Sequence, residues 1–331
     1  MAHWYFWLTP LAGLGVLLLF RFVGCDKVFG LESIDAPEPY DDTVSTESGL
    51  ISYWRLQEDH GAEPPAPTAA NTPVSGGTAK DEQGLNDGSY TKIIVEVSGQ
   101  FPDSADAPGN LALEAPGLLD VGDSGTSLSV DGGYVEIPFS NSLLLTSFTI
   151  EVLVHPEWSS AETGLFRTVI AFTADGPMPQ NISAFGFALY AGPQDPVART
   201  GPDIWQIWVG NGTAIQQIQM NHGSLPLVDF TKTNYLAVTY DDSTQLLNLY
   251  TYVEGIQLDS GPFNPVQDVA VAYGQNADPT SKFLIGINQT PSGSAVPFYH
   301  PFKGRIQEVA VYDSALTYNR IISHIGSGLN L

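Results

Sequence analysis

The segment "SFTIEVLVH", residues 147–155, sets Phe148, Ile150, Val152 and Val154 at every second position. Successive side chains of an extended strand point to opposite faces, so this spacing predicts a strand with one face in a core. Glu151 falls on the other face. Runs of the same kind recur as "LISYWRL" at 50–56, "YLAVTY" at 235–240 and "LLNLYTYV" at 246–253, the last two separated by "DDSTQ". With 33 Gly and 24 Pro in 331 residues, turns are frequent and long helices few. Short strands punctuated by Gly, Pro, Asn and Asp predict an all-β, two-sheet antiparallel sandwich. Neither a second composition regime nor an internal repeat appears, so the reading is one domain over 50–331. Only "TYNRIISHI" reads as helix, with Thr317 as N-cap and Gly326 just past its end.

Charge narrows the function classes. Lys and Arg total 12 against 36 Asp and Glu, a formal charge of -24. Nucleic-acid binding needs clustered cations to neutralise phosphates, and docking on anionic lipid needs a polybasic patch. The balance excludes both as main functions. It fits a well-solvated outer surface or cation binding.

The N-terminus reads as an export signal. Residues 8–24, "LTPLAGLGVLLLFRFVG", are apolar over a length short for a spanning helix and right for a signal-peptide core. The chain's one cysteine, Cys25, follows directly, and "FVGC" resembles a bacterial lipobox, in which the cysteine is acylated. An uncleaved anchor or a buried thiol are the other readings. With one cysteine, no disulfide forms within the chain, so packing alone must hold the exported part. Residues 26–49 carry seven acidic residues, one Lys and two prolines without a sustained period, and read as a solvated tether. The expectation is therefore 1–25 signal or anchor, 26–49 tether and 50–331 sandwich, exported and held at the cell surface.

Five motifs in order give a resemblance. "GLISYWRLQE", "TAKDEQGLNDGSY", "SLSVDGGYVEIPFSNSLLLTSFTIEVLVHPEW", "YLAVTYDDSTQLLNLYTYVEGIQL" and "FKGRIQEVAVYDSALTYNRIISHIGSG" resemble, in turn, the opening strand, Asp-containing turn, central block, hairpin and closing block of LamG-like (concanavalin A-like) jelly-roll domains of bacterial surface proteins. The resemblance implies that the last strand returns beside early strands, with Ile306, Val309 and Val311 inward. It also implies a structural Ca²⁺ held by Asp81 in the turn and by the residue after Ile306. That residue is Gln307 where the family usually has Asp, so it offers an amide oxygen without charge.

Chemistry is sparse. A glycosidase on this fold needs two carboxylates flanking a cleft on neighbouring strands. Glu151 and Glu308 each lie within a strand block, and would face each other if those strands are neighbours. The alternative is that both are structural, satisfied by backbone or by an arginine such as Arg305. Ser-His-Asp arrangements, phosphate loops and zinc spacings are missing, and the six histidines are scattered. The sequons "NIS", "NGT" and "NQT" read as chance matches.

Glycan contact has one better candidate. In "DIWQIWVG", Trp205, Ile207 and Val209 share an apolar face that reads as core, which leaves Trp208 beside Gln206 on the other. A flat ring suits the CH face of a sugar, and amides suit its hydroxyls. "AIQQIQM" adds Gln217 and Gln219. In "AFGFALY", Ala184, Gly186 and Ala188 leave shallow space, with Tyr190 at its edge. The first reading is thus a non-catalytic surface module that binds a glycan or another extracellular macromolecule. A structural or adhesion protein without a small ligand, and a glycoside hydrolase or lyase, remain the alternatives.

Overall fold

The computed structural model describes residues 40–56, 77–91, 94–98, 111–115, 133–158, 165–173, 185–195, 200–219, 228–254, 266–289 and 298–329. The signal segment, Cys25, most of the tether, Ala184, Asn181 and the long loops around residues 57–76 and 99–110 lie outside the described residues.

In chain order the described strands are β1 (Leu50–Trp54), β2 (Thr78–Ala79), β3 (Gly88–Thr91), β4 (Ile94–Ser98), β5 (Leu111–Ala115), β6 (Tyr134–Pro138), β7 (Phe148–Pro156), β8 (Arg167–Thr173) and β9 (Gly186–Asp195). There follow β10 (Thr200–Gly210), β11 (Ile215–Gln219), β12 (Asn234–Asp241), β13 (Leu246–Val253), β14 (Val266–Ala270), β15 (Lys282–Ile285), β16 (Asn288–Gln289), β17 (Phe298–Tyr299) and β18 (Gly304–Tyr312). Two helices, α1 (Tyr40–Thr46) and α2 (Tyr318–Leu329), flank them.

The strands form the jelly-roll sandwich. The first sheet runs β14-β13-β12-β7-β18-β5-β4, with β1 also paired to β18, and the second runs β11-β10-β9-β8-β15-β6-β3-β2. The closing strand β18 lies antiparallel between β7 and the early strands, as the resemblance implies. Alternation sets the core. Phe148, Ile150, Val152 and Val154 of β7 meet Trp205, Ile207 and Val209 of β10 in one cluster, with Ile306, Val309 and Val311 of β18. Rings interlock there, with Phe148 stacked on Phe187 at 5.2 Å. Full burial of each such aliphatic side chain contributes about 1.5–3 kcal/mol.

Two glycines permit close approaches. A Cβ on Gly186 (φ +82) would lie 1.8 Å from the Phe172 carbonyl oxygen. One on Gly304 (φ +135) would lie 2.2 Å from the His155 carbonyl oxygen. Both positions need glycine on conformational and steric grounds.

The outer face of the first sheet is also packed. Tyr40 and Val44 of α1, with Ile321 and Ile325 of α2, cover Tyr53, Leu153, Tyr235, Ala310 and Tyr312 in a second cluster. This corrects two boundaries. The compact unit starts at Pro39 rather than 50, because α1 buries apolar side chains within the expected tether. Helix α2 begins after Thr317, whose carbonyl accepts the Ile321 N–H at 3.1 Å, but it runs through Gly326 to Leu329. Among the described residues, no helix is long and apolar enough to cross a membrane.

Candidate functional site

The sheet surface singled out from alternation lies on the outer face of β9 and β10. Trp208 stands there half-buried, opposite the core side taken by Trp205, Ile207 and Val209. Its indole N–H donates to the Gln206 amide oxygen at 3.0 Å. Register pairs Trp208 with Ala188 and Gln217, and Gln206 with Tyr190 and Gln219. Tyr190 packs against Trp208 with ring centroids 5.1 Å apart.

Two residues that carried no sequence signal complete the patch. Phe166, just before β8, sets its ring edge-on to Trp208 at 5.5 Å. His300 contacts Phe166 at 5.2 Å and Tyr190 at 6.0 Å. His300 holds a left-handed φ of 53, uncommon for a non-glycine residue. Its carbonyl accepts the Thr168 N–H at 2.8 Å, which fixes that loop to β8. Asn288 donates to the Tyr190 hydroxyl and accepts from Thr173 Oγ1 at 3.0 Å. The contacts join different segments, with His300 more than a hundred residues from both Phe166 and Tyr190, so period-two reading along one strand could not find them.

The open surface expected here is corrected in two respects. Gln206 and Tyr190 are 0% and 1% exposed, so Tyr190 lies under the patch and not at its edge. The shallow space expected above Gly186 and Ala188 is also missing. Gly186 abuts the Phe172 backbone and Ala188 is buried. Of the candidate residues with described side chains, Trp208 alone reaches solvent.

The turn after β2 organises itself around Asp81, which is fully buried. Its Oδ1 accepts the N–H groups of Tyr53 (2.9 Å) and Gln83 (3.0 Å). Its Oδ2 accepts those of Leu85 (3.1 Å) and Asn86 (2.9 Å), together with the Ser52 hydroxyl (3.1 Å). A carboxylate offers about four lone-pair sites, and five donors fill them. Asp81 therefore clamps the turn to β1, with its lone pairs committed to these five donors. Gln307 is buried on β18, opposite Leu153 of β7. Among the described residues, no group of three His, Cys, Asp or Glu is placed to hold a metal.

Strands β7 and β18 are neighbours, so Glu151 and Glu308 do share the outer face of the first sheet. Neither borders a cleft, because each is at most 1% exposed beneath the helices. Glu151 takes the hydroxyls of Tyr40 (3.3 Å) and Tyr312 (3.4 Å) and the ring of His324 (2.9 Å). Burial, and then the Glu151 charge, push Tyr40 and Tyr235 well above the usual phenol range, so both stay protonated. Glu308 sits at a bulge in β18 with φ 54 and accepts from Tyr53 Oη, with Arg55 Nε 3.8 Å away. Burial pushes its carboxyl up to about 7, against the opposing pull of Arg55 and Tyr53. Arg305, the partner expected for one of these carboxylates, pairs with Glu157 at 2.9 Å instead.

No curated protein matches the chain. Among solved structures, it is similar to one of botulinum neurotoxin type C, described by cell entry that depends on two ganglioside molecules, with 14% identity and a TM-score of 0.44 over 78% of this chain and 51% of that one. The chain thus spans about half the length of that toxin chain. It is similar at 13% identity and TM-score 0.35 to the Ruminococcus gnavus sialidase CBM40 bound to alpha2,3 sialyllactose, over 56% of this chain and 84% of that one. A heptameric SAP-like pentraxin from Limulus polyphemus gives 12% identity and a TM-score of 0.34, over 59% and 79%. At these values the likenesses carry nothing about ligands. A family model described as concanavalin A-like lectin/glucanases superfamily matches residues 129–322, more than half the chain, and with the sandwich described above the chain belongs to that superfamily.

Proposed function

We propose that this chain is a non-catalytic, surface-tethered module that binds a glycan through the outer face of its second sheet. The observation that carries the reading is Trp208. It is half-buried, framed by Phe166 and Tyr190, and fixed by its hydrogen bond to Gln206, on a strand whose other face is filled by core. A ring held in one orientation can stack on the CH face of a pyranose at low entropic cost. Membership of a lectin and glucanase superfamily supports the reading without deciding it, because one sandwich hosts many functions. The non-catalytic part is supported by Glu151 and Glu308, which hold structural partners beneath the helices. Tethering through Cys25 and export to the cell surface rest on the sequence alone.

A second reading, an assembly or adhesion protein without a small ligand, is favoured by the burial of Gln206 and Tyr190. A glycan array probed with residues 39–331, beside an assay for reducing-sugar release, separates the readings. The expected result is binding to a subset of glycans with no release. A blank array favours the assembly reading. Sugar release that Glu151→Gln or Glu308→Gln abolishes overturns the non-catalytic one.

A further inference from the structure

Both ends of the compact unit meet at one buried histidine. His324 of α2 is 0% exposed. Its Nδ1 lies 2.9 and 3.0 Å from the two oxygens of Glu151 on β7. Its Nε2 lies 3.1 Å from Glu47 Oε2, one residue beyond α1. Glu47 also receives Arg320 Nε of α2 at 2.7 Å. Ionised carboxylates are acceptors only, so an imidazole that touches one at each nitrogen satisfies both only as the doubly protonated cation. A neutral ring donates at one nitrogen and turns a lone pair on the other carboxylate.

We infer that Glu47, His324 and Glu151 form an ionic clasp that fastens α1 to α2 and both to the first sheet, and that loss of the His324 proton opens it.

The surroundings define the direction. Glu151 faces His324 from β7 and Glu47 from the segment after α1. Tyr40 of α1, Tyr235 of β12 and Tyr312 of β18 crowd the Glu151 carboxylate, and the Tyr312 ring lies 6.1 Å from the imidazole. Arg320 is the cation on the same helix. At the other end of α1, Asp41 pairs with Arg55 at 3.1 Å, which leads on to Glu308 and Tyr53. Burial works against the His324 charge, but the Glu151 carboxylate, reinforced by Glu47, outweighs it and raises the histidine above its ordinary 6.5. Burial likewise opposes the charge of Glu47, yet Arg320 and His324 bring its carboxyl below the ordinary 4.5. A raised histidine contributes fully below 6.5 and is lost as pH rises through its folded value. A lowered carboxyl contributes above 4.5 and is lost as pH falls through its folded value. The clasp is thus closed below pH 6.5 and opens as pH rises through the raised folded value of His324. Opening uncovers the tyrosines of the sheet, Tyr53, Tyr235, Tyr250, Tyr252 and Tyr312.

Hydrogen exchange of the full chain, corrected for intrinsic rates and followed from pH 6 to 10, tests this. Peptides over 40–47 and 318–329 should lose protection in one step as His324 gives up its proton, while 148–154 of β7 stays protected. His324→Asn should exchange fast in both helices already at pH 6, with no further rise. Glu47→Gln alters a partly exposed position and keeps the fold in reach if His324→Asn fails to fold. It removes one carboxylate from the ring, so the opening midpoint must move to lower pH. A flat wild-type profile, a transition retained in His324→Asn, or an unmoved midpoint in Glu47→Gln overturns the clasp.

Discussion

Glu308 shows how one residue bends a strand pattern. In "GRIQEVAVY" the period-two rhythm places Ile306 inward, then slips by one so that Val309 and Val311 point inward as well. Glu308 takes up the slip at a positive φ, and the extra residue turns its carboxyl to the outer face, where Tyr53 donates to it. The slip is visible in the sequence, but its cause is not, since Tyr53 lies 255 residues away. Burial raises this carboxyl from 4.5 to about 7. A folded value above the unfolded one adds stability that is fully present below 4.5 and lost as pH rises through about 7. Glu308→Gln keeps an acceptor for Tyr53 and cannot ionise. Its stability relative to wild type should therefore improve between pH 5 and pH 8, by up to about 3 kcal/mol. Urea melts at the two pH values measure this, and a constant difference between variant and wild type would count against an uncharged Glu308 at pH 5.

At the scale of elements, the strands were legible and what covers them was not. Alternation in β7 separates Ile150 and Val152 from Glu151 and Leu153, and the structure keeps that separation. A polar residue on the second face suggests solvent, yet α1 and α2 cover it. Helix α1 escaped notice because "YDDTVST" is one short, acidic element that buries only Tyr40, Thr43 and Val44. Isolated helices of this length are unstable, so α1 exists because the sheet is there to receive it. A chain that starts at residue 50 should melt below one that starts at residue 39. The loss of buried Tyr40 and Val44 predicts a deficit of about 3–5 kcal/mol before relaxation. Equal melting of the two chains would return 40–49 to the tether.

Across the whole molecule, ligand contact is proposed at the aromatic patch of the second sheet, away from the two buried carboxylates of the first. The separation of Trp205 from Trp208 was legible because β10 alternates without a bulge over that stretch. The closing of the patch was not, because it depends on Phe166 and His300, which reach it from other segments. The burial of Gln206 and Tyr190 shifts the weight of the site onto the Trp208 ring. The most direct test is titration of the best array ligand against wild type, Trp208→Ala and Trp205→Ala, with a thermal melt of each. Trp208→Ala should weaken binding by about 1–3 kcal/mol, the range for a hot-spot aromatic, and stay close to wild type in its melt. Trp205→Ala should lose about 3–5 kcal/mol of stability as a core truncation. Unchanged binding by Trp208→Ala, or a melt depressed as far as that of Trp205→Ala, would mean that the ring serves packing and that the glycan site is not on this face.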